Sequence, residues 1–128
     1  MADIQVILVE ADEPTRIALR TALRSQPGIE VASEATNGET GLVLLESIDV
    51  DVAIVAASLP DMSLTEFIGK MRAVQAESYV QPSKLLILLP PGQEAIGPDL
   101  LAAGVDGVCR KDAPITELAD RVRQIHAG

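Results

Sequence analysis

Tryptophan is absent, and Phe67, Tyr79, Cys109 and His126 are each the only residue of their kind in 128 positions. A core must therefore be built from Leu, Ile, Val and Ala, and no aromatic platform exists on which bases could stack. A lone cysteine excludes an internal disulfide and a thiolate metal cage, and Cys109 reads as a small buried hydrophobe. Cations are also scarce: 10 Lys and Arg face 19 Asp and Glu, a net charge of −9. Such a field repels nucleic acid, so any DNA contact is expected to lie outside these residues. No apolar run approaches the roughly 20 residues of a membrane helix. Met1-Ala2-Asp3 leads into the first apolar stretch without a basic n-region. The expectation is a cytoplasmic chain that does not touch the membrane.

What the chain does have is 48% hydrophobic residues over a length that supports one continuous core. With no internal repeat, low-complexity tract or linker, residues 1–128 read as a single domain. Short apolar runs alternate with segments of helical period, the pattern of a parallel sheet with crossover helices. Ile4 to Val9 predicts the first strand, and Glu13 to about Gln26 a helix opened by Pro14, with Ile17, Ala18, Ala22 and Leu23 inward. Pro27-Gly28 breaks the chain before a second strand over Ile29 to Ser33, and Asn37-Gly38 opens a helix carrying Leu42, Leu44 and Leu45. Asp51 to Ala56 is near-continuously apolar, as in a strand covered on both faces.

Ser63 with Glu66 three residues on predicts the cap of a third helix whose Phe67, Ile68 and Met71 point inward. That pattern fades into a polar stretch from Ala73 to Ser83, and Leu85 to Leu89 supplies a fourth strand. Pro90-Pro91-Gly92 and Gly97-Pro98 predict a fourth helix that begins late or is split. Val105 to Arg110 is the fifth strand, and Ile115, Leu118, Ala119, Val122 and Ile125 form the inner stripe of the last helix, with His126 exposed near its end.

In an open α/β sheet the site lies beyond the carboxyl ends of the strands, which points to Glu10, Ala11, Asp12, Ala56, Ala57, Ser58 and Lys111. Glu10 through Pro14, Asp51-Val52 through Ser58-Leu59-Pro60, and Ala103-Gly104-Val105-Asp106-Gly107 through Lys111-Asp112-Ala113-Pro114 resemble the receiver domain of two-component response regulators. The likeness covers essentially the whole chain. Its closing Lys-Asp-Ala-Pro and final Ala-Gly are similar to the subgroup that precedes a helix-turn-helix output domain. The resemblance implies a flavodoxin-like (βα)5 fold, strand order 2-1-3-4-5. It also implies an aspartate at the end of the third strand that takes a phosphoryl group with magnesium, held by two adjacent acids and steadied by a lysine.

Aligned through Ser58-Leu59-Pro60, the phosphoacceptor position falls on Ala56, which can neither accept phosphate nor bind a metal. Aligned through Pro14, the acid pair falls on Ala11 and Asp12, leaving Asp12 as the one weak metal candidate. Magnesium is expected to bind weakly or not at all, and no other cofactor is implied. The hydroxyl residue ending the fourth strand falls on Leu89, and the aromatic before the lysine on Val108. Leucine cannot donate a hydrogen bond and valine has no ring to rotate.

Lys111 is retained, and an ion pair with Asp12 is expected. Glu10, one place before the acid pair, is expected to turn to solvent or a neighbouring helix, because a one-residue shift reverses side-chain direction. Asp61 lies beyond Pro60, too far along to replace the acceptor, and Ser58 has no nearby histidine as a base. Arg16, Arg20 and Arg24 recur every four residues on the first helix, read either as a solvated face or as a docking stripe for an acidic partner or second copy.

These readings point to a non-enzymatic, phosphorylation-independent regulatory domain that controls transcription through a protein partner, dimerisation or a downstream DNA-binding domain. Two alternatives stay open: Mg-dependent phosphorylation of Glu10 or Asp12, and a small-ligand sensor using the vacated pocket. The latter lacks a glycine-rich phosphate loop after the first strand.

Overall fold

The computed structural model describes residues 2–79 and 81–128. The chain runs β1 (Ile4–Val9), α1 (Glu13–Arg24), β2 (Ile29–Ala35), α2 (Gly38–Ser47), β3 (Val52–Ala56), α3 (Leu64–Ala76), β4 (Lys84–Leu89), a 3-10 turn (Glu94–Ile96), α4 (Gly97–Ala102), β5 (Gly107–Arg110) and α5 (Ile115–Ala127). The five strands form one sheet in the order β2-β1-β3-β4-β5, every pair parallel. This is the flavodoxin-like arrangement that the sequence predicts.

Alternation within the strands divides the core in two. Val6, Leu8, Val52, Ile54, Leu86, Leu88 and Cys109 face α1 and α5, where Leu23, Leu118, Ala119 and Val122 close over them. Ile7, Val9, Ala53, Val55, Leu85, Ile87 and Leu89 face α2 and α3, which supply Leu45, Phe67 and Met71. Each fully buried aliphatic side chain contributes roughly 1.5–3 kcal/mol, so the layers hold without aromatic residues beyond Phe67. Gly41 lets α2 approach β1, since a Cβ there would lie 2.9 Å from Val9 Cγ2. Gly28, at φ 79, makes the left-handed turn into β2.

Local signals act where the sequence places them. Asn37 accepts from Thr40 N–H at 2.8 Å and Ser63 from Glu66 N–H at 3.1 Å, each capping its helix. The fourth helix is split into a single 3-10 turn and six residues, as its prolines and glycines require.

Three expectations need correction. Ile17 is 40% exposed and Ala18 is exposed, because α1 docks through Leu19 and Leu23 with the stems of Arg16 and Arg20 half-buried beside them. Helix α3 continues to Ala76, past Ala73 where its apolar pattern fades into the polar stretch. Its Gln75 is buried because the side chain bonds both the hydroxyl and the backbone N–H of buried Ser83. Val80, in that stretch, lies outside the described residues. Finally, β2 extends to Ala35 through a bulge: Val6 faces Val31 but Ile7 faces Ser33, so Ala32 is an extra residue.

Candidate functional site

The carboxyl ends of β1, β3, β4 and β5 bring Glu10, Ala56, Leu89 and Lys111 to one edge of the sheet. Register decides which of them meet. Val9 pairs with Val55, so Glu10 follows one step beyond, beside Ala56, on the face that Leu8 and Ile54 share. Ala56 is 2% exposed and offers only a methyl group there. The ammonium of Lys111, the residue just past β5, pairs with Glu10 Oε1. The other carboxylate oxygen accepts from Asp12 N–H at 3.0 Å. The Glu10 side chain is 5% exposed and that of Lys111 24%.

This corrects two expectations. Glu10 does not turn to solvent, and the partner of Lys111 is Glu10 rather than Asp12. The physical reason is the same for both: the small Ala56 leaves the neighbouring strand position as the nearest place from which a carboxylate can meet the lysine, while Asp12 is engaged elsewhere.

Asp12 is the N-cap of α1. Its Oδ2 accepts from Thr15 N–H at 3.1 Å and from the Thr15 hydroxyl. Those two bonds, the hydroxyl first, hold its carboxyl below the ordinary carboxylate range, and the charges of Lys111 and Arg16 add smaller contributions. Ala11 and Ala56 bring no ligand oxygen, and among the described residues no cluster of three His, Cys, Asp or Glu is arranged to hold a metal. Neither alanine side chain offers a magnesium ion the carboxylate oxygen it favours.

Leu89 is buried and Val108 half-buried, and both stand against the start of α4, within 3.5–3.7 Å of the position that a Cβ on Gly97 would take. Ser58 is exposed past the end of β3, with no hydrogen-bond partner among the described residues.

Asp61 has a different task from the one weighed for it. Its carboxylate accepts from Gly38 N–H at 2.8 Å and Glu39 N–H at 2.9 Å, binding the α3 approach loop to the N-terminus of α2. Those bonds, Glu39 first, lower its pKa. A carboxyl whose folded pKa is depressed adds stability that is present above the unfolded pKa and lost as pH falls through the folded one. Asp61→Ala is therefore expected to lower the urea midpoint at neutral pH, with the gap to the parent closing below about pH 4. Urea titrations across that range check it, and a pH-independent gap would contradict it.

The basic row on α1 is partly absorbed. Arg16 and Arg20 both donate to Glu34 Oε1, at 3.2 and 2.8 Å, and Arg16 also donates to the Glu10 carbonyl oxygen at 3.1 Å. Arg24 is exposed and makes no ion pair among the described residues. The bulge at Ala32 is what turns Glu34 to this side, in register with Leu8. Sequence reasoning missed Glu34 for that reason, since a bulge carries no glycine or proline mark here. Glu10 had a usable signal: it and Ala56 each end their strand's apolar run.

Comparison with known proteins agrees with this geometry. The response regulator receiver domain family matches residues 6–123. The nitrate/nitrite response regulator NarL of Escherichia coli (strain K12) is 26% identical over 123 residues, 96% of this chain and 55% of NarL. The chain thus spans about half the length of that relative. Among solved structures, the receiver domain of the putative response regulator NarL from Mycobacterium tuberculosis superposes with a TM-score of 0.87 at 23% identity, over 100% of this chain and 99% of that one. A DNA-binding response regulator of the LuxR family from Staphylococcus aureus does so at 0.82 and 19% identity, over 96% and 98%. With its parallel sheet of order 2-1-3-4-5 and a family match over nearly its whole length, the chain belongs to the response regulator receiver domains of two-component systems.

Proposed function

We propose that this domain is a receiver that works without phosphorylation: a non-enzymatic, cytoplasmic regulatory module whose phosphoacceptor position is Ala56 and which uses no magnesium. The observation that carries the reading is the ion pair between Glu10 and Lys111, formed at the strand end where Glu10 stands beside Ala56. In a phosphorylated site the lysine must be free to meet the developing phosphoryl charge. Here a carboxylate of the same chain already holds it.

Three further features support the same reading. Asp12 is committed to capping α1, Leu89 has no hydroxyl to donate, and Val108 has no ring to report a change. Output then runs through association with a protein partner or second copy, and through a DNA-binding domain outside these residues that controls transcription. Likeness to LuxR-type regulators supports that output.

Incubation with acetyl phosphate and Mg2+, followed by intact mass measurement, tests the proposal. The mass is expected to stay unchanged, and a near-stoichiometric phosphoryl adduct on Glu10 or Asp12 would overturn it.

A further inference from the structure

Glu39, Leu42, Val43 and Glu46 recur at i, i+3, i+4 and i+7 on α2, so they share one stripe, apolar in its middle and acidic at both ends. Val43 is 55% exposed, more than Ile17, Ile96 or Leu101. The stripe lines a groove of about 440 Å3 between α2 and α3, to which Met62 adds a third apolar side chain. The loop before α3 is fixed there: Asp61 is bound to the N–H groups of Gly38 and Glu39. A Cβ on Gly38 would lie 2.8 Å from Met62 Sδ, so Met62 stands directly against the start of α2.

Charge around this groove is unevenly matched. Glu39, Glu46, Asp61 and Glu66 face one cation, Lys70, which Glu66 already holds at 2.9 Å. Behind β5, by contrast, Glu94 and Glu117 are met by Arg110 and Arg121. The carboxylates of Glu39 and Glu46 make no hydrogen bond or ion pair among the described residues. Lys70 shows what these surroundings do to a cation. Its pKa is raised above the ordinary lysine value, chiefly by Glu66, with smaller contributions from Asp61 and Glu39.

An apolar strip between unneutralised carboxylates suits a helix that carries aliphatic anchors on one face and cations beside them. From Glu39 to Glu46 the stripe runs about 10 Å, the length of two turns of such a helix. We propose that the α2–α3 groove docks a basic amphipathic helix of a partner protein, its apolar anchors on Leu42, Val43 and Met62 and its cations at Glu39 and Glu46. The inference gives the association proposed above a surface and a partner charge, and it rests on that reading for its role. The two fail separately, since a phosphoryl adduct bears on that reading and peptide binding on this one.

The probe is an alanine-based peptide of about 16 residues, long enough to form a helix, with leucines along one face and lysines beside them. A peptide of the same composition with its leucines spread around the helix controls for bulk attraction, because a net charge of −9 draws in any cation. Calorimetry and backbone amide shifts follow both. The amphipathic peptide is expected to saturate one site and to shift amides of Leu42, Val43 and Met62. It should bind roughly tenfold more tightly than the control, as burial of one aliphatic side chain implies. Val43→Asn, at an exposed helix position, should remove that advantage. Glu39→Gln with Glu46→Gln should weaken binding roughly fivefold, as two exposed ion pairs imply. Glu13→Gln with Asp112→Asn, outside the groove and equal in charge, should change it by less than about twofold, because salt screens distant charges. Circular dichroism confirms that each variant is folded. Absence of saturable binding, equal affinity for the two peptides, or equal losses from the two pairs of substitutions would overturn the proposal. So would a dimer in sedimentation that Val43→Asn dissociates, which would show the groove covered by a second copy.

Discussion

Lys111→Met is expected to lower the unfolding free energy by about 2–3 kcal/mol, because it strands the Glu10 carboxylate at a buried strand end. Breaking a fully buried pair costs roughly 3–5 kcal/mol, and the lower figure reflects water access to the lysine end, 24% exposed. The two ends of the pair are not equivalent. Glu10→Leu leaves an ammonium that can turn to solvent, so its loss is smaller than that of Lys111→Met. The double variant, with methionine and leucine packed against Ala56, is expected to recover most of the stability, since a hydrophobic pair of similar volume replaces a buried ion pair at little cost. Urea unfolding of the four proteins of this cycle measures the coupling. Additive losses, with no recovery in the double variant, would mean that the pair is not closed in solution.

Restoring an aspartate alone should not restore phosphorylation. In Ala56→Asp the new carboxylate would stand beside Glu10 on the same face, and both would compete for one ammonium. Two carboxylates in one site push one pKa up, which favours a neutral and unreactive acid. With Ala11 still unable to help a metal bind, labelling by acetyl phosphate and Mg2+ is expected to remain far below one phosphoryl group per molecule. Ala56→Asp combined with Ala11→Asp and Glu10→Val frees the lysine and adds a ligand oxygen, and should label substantially more. The intact mass of each variant decides this, and efficient labelling of the single variant would show that Glu10 does not obstruct the site.

The strands and caps were legible because each is written in a short stretch: the apolar runs of Ile4–Val9 and Leu85–Leu89, the hydroxyl of Ser63. The split fourth helix was legible from its prolines and glycines for the same reason. What sequence reasoning could not supply was which neighbours meet across strands. Glu10 was judged against its own strand, where its place looked wrong for an acid. Its surroundings are set by Ala56 on β3 and Lys111 after β5, which come beside it only once register is fixed. The α1 stripe failed differently: Ile17 and Ala18 have apolar side chains, but the helix rotates so that arginine stems cover the sheet and their heads reach Glu34.

The extra residue in β2 has a consequence for how this surface can change through insertion and deletion. Beyond Ala32, every β2 side chain faces the side that its sequence position would otherwise deny it, and Glu34 is the acid that Arg16 and Arg20 share. Loss of one neutral alanine would therefore carry that acid through to the opposite layer and leave both guanidiniums without their shared carboxylate. The electrostatic character of α1 is in this sense inherited from a residue count in another strand, and a deletion that alters no charged position could leave the arginine row of that helix with no facing carboxylate.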